Sequence, residues 1–317
     1  MARIFIDGFE SGKTSLWDVN NGSILAAKSG MSGTYCLKLN HTQISWRSLS
    51  SASSYYFACK IQYSAAYGAT FISFKFNDDT QILLGLSSSN LQIKRGSTVL
   101  ATGTTTLQVN TTYLIEIYFS IANAGGRFVV KLNGLTEIDF TGDTQELGGD
   151  QVNKLYLESM HNANTFYDDI VVDDSDWISD TKIEALIPTG AGTTTQWLPS
   201  AGANWETVDE IPASDADYNS VNAVDQIDTF ATGDMAGDVG SVKCLQVQAR
   251  ASKDGTPTPL NFDLAVRSGG TDYFSADHEV PTEFADFSKL WEKNPNGDVA
   301  WTETSVNAME IGYKSKT

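Results

Sequence analysis

Carboxylates are the side chains of this 317-residue chain whose types and spacing could do chemistry. Two acids that cleave a glycosidic bond must face one cleft, as alternate residues do in an E-x-D-x-x-E strand, where they serve as nucleophile and acid. No such run occurs. Glu116, Glu137 and Glu158 are single acids on separate strand-like segments, expected to face solvent. Asp168 and Asp169 are adjacent, so within a strand they point to opposite faces. His41, His161 and His278 stand alone, with no HxxxH or Cys/His cluster to hold zinc. Gly12-Lys13-Thr14 mimics the tail of a phosphate loop, but the spacing from Gly8 is one residue short. Without paired carboxylates or a nucleophile–base pair, the expectation is a protein that is not an enzyme.

Charge narrows the partners. The formal net charge is −18, with 12 basic against 17 acidic residues up to position 176 and 9 against 22 beyond it. Such a surface repels phosphate backbones and anionic lipid heads, so neither nucleic acid nor a membrane surface is expected as a partner. Hydrophobic residues at 41% and charged residues at 19% fit a folded chain rather than a disordered one. Cys36, Cys59 and Cys244 make an odd count without CxxC spacing, two of them inside apolar runs, which points to buried free thiols; a Cys36–Cys59 disulfide is the alternative. No signal peptide or apolar run of membrane-spanning length is evident, so a soluble product of a reducing cytoplasm is expected.

The elements that must position these residues are strands. Tyr113, Ile115, Ile117, Phe119 and Ile121 alternate with Leu114, Glu116, Tyr118 and Ser120, the period of two that sets one face on a core. Phe128–Leu132 and Leu135–Phe140 flank Asn133-Gly134, which supplies the positive φ angles of a type I′ hairpin. Similar runs at 35–39, 55–63, 70–76, 81–86, 91–94 and 154–157 are bounded by turn residues, and no long helical pattern intervenes. The spacing predicts an all-β chain of two antiparallel β-sandwich (jelly-roll) domains in tandem, residues 1–176 and 177–317. In the second, 188–195 reads as a Gly/Thr loop, 198–241 carries few periodic apolar residues, and strands return near 245–250, 262–267 and 309–313. Phe284–Trp291 fits a short helix or a strand, and Asn294-Pro295-Asn296-Gly297 a turn.

Ile4-Phe5-Ile6-Asp7-Gly8-Phe9-Glu10-Ser11-Gly12, with the closing Phe166-Tyr167-Asp168-Asp169-Ile170-Val171-Val172-Asp173-Asp174, resembles the concanavalin A-like or laminin-G-like sandwiches of tailed-bacteriophage structural proteins. Leu186-Ile187-Pro188-Thr189-Gly190, Trp197, Asn204-Trp205 and Val266-Arg267-Ser268-Gly269-Gly270-Thr271-Asp272-Tyr273 are similar to modules appended to such sandwiches in tail-fibre-like and head-decoration-like proteins. The resemblance implies a virion structural protein made in the host cytoplasm and carried on the particle's exterior. It implies assembly with other virion structural proteins and as a homo-oligomer, a trimer being favoured. The alternative is a carbohydrate-binding module that attaches the particle to host-surface or environmental glycans. No cofactor is expected beyond a structural Ca²⁺, which in such sandwiches joins acids of the first and last strands; Asp7, Glu10 and Asp169 occupy comparable positions. The competing expectation is that these acids cap turns or bond backbone amides. Trp17, Trp46, Tyr55, Tyr56, Tyr63 and Tyr67 are the first-domain aromatics from which a sugar-stacking platform would be drawn.

Overall fold

The computed structural model describes residues 3–65, 70–146, 149–159, 163–235, 237, 240–255, 259 and 261–317. The chain is all-β and divides into two compact units, Met1–Glu184 and Ala185–Thr317.

The strands of the first unit follow the apolar runs. In chain order they are β1 (Arg3–Asp7), β2 (Val19–Asn20), β3 (Ser23–Ala26), β4 (Tyr35–Asn40), β5 (Ile44–Ala52), β6 (Ser54–Tyr63), β7 (Thr70–Phe76) and β8 (Asp79–Ser87). There follow β9 (Asn90–Arg95), β10 (Thr98–Thr106), β11 (Tyr113–Ser120), β12 (Gly126–Leu132), β13 (Leu135–Gly142), β14 (Val152–Glu158) and β15 (Asn164–Asp173). They form two antiparallel sheets. An eight-stranded sheet runs β13-β12-β11-β6-β15-β4-β3, with β1 also on β15; a seven-stranded sheet runs β10-β9-β8-β7-β14-β5-β2. One hydrophobic core draws residues from both, among them Phe57, Phe74 and Phe119, whose rings meet at 5.7 and 4.5 Å. The Tyr167 hydroxyl of one sheet lies 2.7 Å from the carbonyls of Phe71 and Glu158 on the other, so a core hydrogen bond joins the layers.

The predicted hairpin forms with Asn133 at φ 49° and Gly134 at φ 81°. These are the two positive angles a type I′ turn requires. Cys36 and Cys59 are buried free thiols on β4 and β6, with β15 running between those strands.

The first unit extends past residue 176, where the sequence reading placed the boundary. Trp177 packs on Tyr56 and Tyr118 at 5.4 and 6.3 Å, and the Lys131 ammonium sits 3.5 Å from its ring centroid. Ile178 is buried, and the Ile183 amide donates to Asp169. The alternating Ile183, Ala185 and Ile187 lie in irregular chain.

The second unit continues with β16 (Pro188–Thr195), β17 (Leu198–Pro199), β18 (Asn219–Ser220), β19 (Ile227–Thr232), β20 (Leu245–Ala251) and β21 (Asn261–Ser268). It ends with β22 (Thr271–Phe274), β23 (His278–Glu279), β24 (Ala285–Trp291), the helix α1 (Glu303–Asn307) and β25 (Glu310–Lys316). A six-stranded antiparallel sheet, β16-β19-β25-β21-β22 with β23 on β21, shares a core with the β20–β24 ribbon through Val247, Phe262, Leu264, Val266 and Trp291.

Two sequence readings are settled here. The Gly/Thr stretch 188–195, expected as a loop, is an edge strand paired with β19. A Cβ on Gly192 would meet the Thr229 backbone at 2.5 Å, so glycine there permits close strand approach, and Thr193 donates from its amide and hydroxyl to Glu310. The segment from Phe284 to Trp291, open between helix and strand, holds strand β24 from Ala285 on, paired with β20 along its length.

Candidate functional site

The acids of the first and last strands lie at a change of partner in the eight-stranded sheet. Strand β15 pairs with β4 from Asn164 to Tyr167 and with β1 from Ile170 to Asp173, and its register with β6 slips between Asp168 and Val171. The slip is a bulge with Asp169 at φ 48°, a left-handed angle that re-aims its side chain. Asp168 and Asp169 therefore do not point to opposite faces as adjacent strand residues would. Both reach Ser32, whose amide donates to Asp168 Oδ2 at 2.9 Å and whose hydroxyl donates to Asp169 Oδ2 at 2.5 Å.

The three proposed calcium ligands are otherwise engaged. Asp7 accepts from the Phe9 amide at 2.7 Å and from Trp17 Nε1 at 2.8 Å. Glu10 accepts from the amides of Thr34 and Tyr35, each at 2.9 Å. Asp169 Oδ1 accepts from the Ile183 amide at 2.7 Å, and its Oδ2 lies 3.1 Å from the Lys60 ammonium. Among the described residues no group of three His, Cys, Asp or Glu is placed to hold a metal ion. The arrangement does not fit calcium, which needs several oxygens converging on one point; it fits carboxylates that bond backbone amides at strand ends, with Lys60 as their cation.

Burial sets the charge of this corner. It pushes the Asp7 carboxyl up to about 7, against the bonds from Phe9 and Trp17. Burial, reinforced by Asp169, pushes Asp168 up to about 8, and burial raises Glu10 as well. Burial alone would lower Lys60, but Asp169 and Asp180 outweigh it and hold the ammonium above its ordinary value.

Glu116, Glu137 and Glu158 each accept hydrogen bonds from other segments of the unit. Glu116, expected at the surface, is buried and accepts from the Ser179 amide at 3.0 Å. Glu137 takes the Thr104 and Thr105 amides, and Glu158 the Ser73 hydroxyl at 2.6 Å. His278 is part-buried against Phe262 and Phe287, with its pKa lowered by that burial; His161 lies outside the described residues.

The aromatics separate by face. Trp17, Tyr55 and Tyr63 belong to the core, Tyr56 lies under Trp177, and Tyr67 is outside the described residues. Among the described five, Trp46 stands on the outer face of the seven-stranded sheet. The alternation of each strand fixes that face: Leu155 and Leu157 of β14, Ile72 and Phe74 of β7, Ile82 and Leu84 of β8, and Leu91 and Ile93 of β9 enter the core. Tyr156, Ser73, Leu83 and Lys94, between them, point away. The registers align these in one row across five strands, Trp46–Tyr156–Ser73–Leu83–Lys94, extended at the ends by Val19 and Val99.

Trp46 and Tyr156 stack at 5.8 Å with 17° between their planes. The Lys75 ammonium lies 3.8 Å from the Tyr156 ring centroid and Lys154 lies 4.8 Å from that of Trp46. Lys154 also pairs with the exposed Asp78 at 2.9 Å. Lys75 and Lys94 have no carboxylate within ion-pair distance among the described residues. At the Lys94 end lies a groove of about 480 Å³ lined by Thr70, Leu83, Gly85, Ser87, Gln92 and Lys94. Gly85 leaves backbone as part of that surface, and Gln92, opposite it, donates to the Thr102 hydroxyl at 3.1 Å. With strands about 4.8 Å apart, Trp46 and Lys94 are roughly 20 Å apart along the row. Sequence reasoning named Trp46 but missed Tyr156 and the lysines, because the alternation of β14 and β9 was legible while their alignment was not.

No family model matches the chain, and no curated protein matches it. Among solved structures, it is similar to an endo-β-1,4-glucuronan lyase from the fungus Trichoderma reesei at 12% identity and a TM-score of 0.43, covering 55% of this chain and 96% of the lyase. It is similar to a carbohydrate-binding module, CBM66, from Bacillus subtilis at 16% identity and a TM-score of 0.35, covering 50% and 96% of the respective chains. A Bacillus subtilis protein of unknown function with a galectin-like fold gives 13% identity, a TM-score of 0.39 and coverages of 55% and 96%. At these scores the likeness adds nothing to the chemistry of the face, which rests on its own side chains.

Proposed function

We propose that the chain is a non-enzymatic attachment protein whose first unit binds a glycan on the outer face of its seven-stranded sheet. The observation that carries this reading is the cross-strand row in which half-buried Trp46, buttressed by Tyr156, leads over Ser73 and Leu83 to Lys94 and the groove beside it. Sugar recognition combines an apolar ring face with a few polar groups set at its sides, and this row has that composition. Trp46, Leu83 and Lys94 of the row lie outside the hydrophobic core cluster, while Tyr156 and Ser73 are buried beneath their neighbours on the face. Binding without turnover agrees with the carboxylates, because Glu116, Glu137 and Glu158 are each committed to holding other chain segments.

The setting we propose is the one the strand-end resemblance implies, the exterior of a tailed-phage particle, with other virion proteins and further copies of this chain as assembly partners. The reading is tested by screening the full chain against immobilised glycans and following hits by tryptophan fluorescence. Retention of a glycan by the parent chain and its loss in Trp46→Ala, with an unchanged far-UV circular dichroism spectrum, is the expected result. Equal retention by Trp46→Ala would remove the face from the reading.

A further inference from the structure

The face that carries Trp46 also carries an anomaly of charge. The chain has a net charge of −18, and its first 176 residues are acidic in sum. Its mean field therefore opposes the approach of anions. Yet the outer side of the seven-stranded sheet gathers Lys154, Lys75 and Lys94 on strands β14, β7 and β9. Two acids share the face: Asp78 pairs with Lys154, and Glu158 accepts from the Ser73 hydroxyl. Lys75 is held 3.8 Å from the Tyr156 ring centroid, with Asp78 near enough that its charge helps lower that carboxyl, while Lys94 lines the groove.

Resting on the glycan-binding reading above, we infer that the occupant is an acidic polysaccharide, a chain of uronate residues that lies across the strands. Lys75 and Lys94 lie two strands apart, roughly 10 Å across the sheet, with Lys75 two residues along β7 from Ser73 of the row, on the side away from Thr70 and the groove. A polyuronate presents a carboxylate on each pyranose ring together with apolar ring faces, so successive rings can meet ammonium groups while another rests on Trp46. A neutral glycan would leave both ammonium groups without partners. A nucleic acid carries denser charge and meets the full repulsion of the acidic chain, which two lysines do not offset. Lysine is a compact point charge and suits a carboxylate approaching from a range of directions.

Polygalacturonate and its methyl-esterified form share a backbone and differ in charge, so they separate the ligand class from glycan binding as such. Affinity electrophoresis and isothermal titration of the full chain with both polymers, and with neutral dextran, are the measurements. The acidic polymer is expected to bind best, weakening as salt rises and the screening length falls below about 10 Å. Lys75→Gln and Lys94→Gln are each expected to weaken it about 2- to 5-fold, the span of single exposed ion pairs, and together about 10-fold. Lys94→Gln removes no contact that holds the fold, so its result stands even where Lys75→Gln perturbs the Tyr156 ring. Equal binding of both pectin forms, unchanged in the double lysine variant but lost in Trp46→Ala, would overturn the acidic class and leave the glycan reading standing. No retention of any polymer by the parent chain would overturn both. Preferential retention of single-stranded DNA over polygalacturonate, reduced by the lysine variants, would also overturn the inference.

Discussion

Raising the pH from 6 to 9 is expected to loosen the last strand of the first unit, because the carboxyls of Asp168 and Asp7 hold their protons more tightly folded than unfolded. The folded values are about 8 and about 7, raised chiefly by burial, against an unfolded value near 4. A carboxyl raised on folding gives stability that is full below the unfolded value and is lost as pH rises through the folded one. At about 1.4 kcal/mol per pH unit, Asp168 gives up about 3 kcal/mol between pH 6 and 9 and Asp7 about 1 kcal/mol. The sum, about 4 kcal/mol, corresponds to roughly a thousandfold loss of protection. Hydrogen exchange of peptides covering Arg3–Asp7 and Asn164–Asp173, corrected for the intrinsic base-catalysed rate, reads this directly in the full chain. Asp168→Asn should cut the alkaline loss to about tenfold, the share of Asp7. The same variant should cost about 1–3 kcal/mol at pH 6, since one amide cannot accept from both Ser32 and Asp169. Protection of β15 at pH 9 that equals or exceeds protection at pH 6 would refute the reasoning, as would a variant that keeps the full alkaline loss.

Two further expectations concern the same unit. A fragment of residues 1–184 should melt about 10 °C above one of residues 1–176, because the shorter piece exposes the seat of buried Ile178 and leaves Glu116 and Asp169 without the Ser179 and Ile183 amides, a loss of about 3 kcal/mol; coincident melting curves would show that 177–184 is only a tether. Differential scanning calorimetry of the full chain in excess calcium and in excess chelator should give the same first-unit midpoint, whereas an occupied site at a hundredfold saturation would raise stability by about 2.7 kcal/mol, and Asp7, Glu10 and Asp169 would then have to be ligands after all.

What the sequence made legible was what depends on near neighbours in the chain. The alternation of Tyr113, Ile115, Ile117 and Phe119 gave β11, and Asn133-Gly134 gave the hairpin, because side-chain period and turn angle are properties of a few consecutive residues. The Gly/Thr strand β16 was misread because glycine weakens a strand on its own, and its value to the sheet lies in the approach to Thr229, thirty-seven positions after Gly192. Asp168 and Asp169 were read as opposed because a bulge is invisible until the partners on either side are known; here β4 gives way to β1 at that point, and the extra residue takes up the change. The same limit governs the candidate site. Trp46 and Tyr156 are 110 positions apart and meet only because β5 pairs with β14, and Lys94 joins their row only through β7 and β8. A sandwich face is thus written across strands, one residue from each, so its chemistry is carried by register. A shift of β14 by one residue would turn Tyr156 toward the core and Leu155 and Leu157 to the outer face, which the core opposes. The packing that holds Leu155 and Leu157 inside is therefore what keeps Tyr156 against Trp46 outside, and the site inherits its geometry from the core.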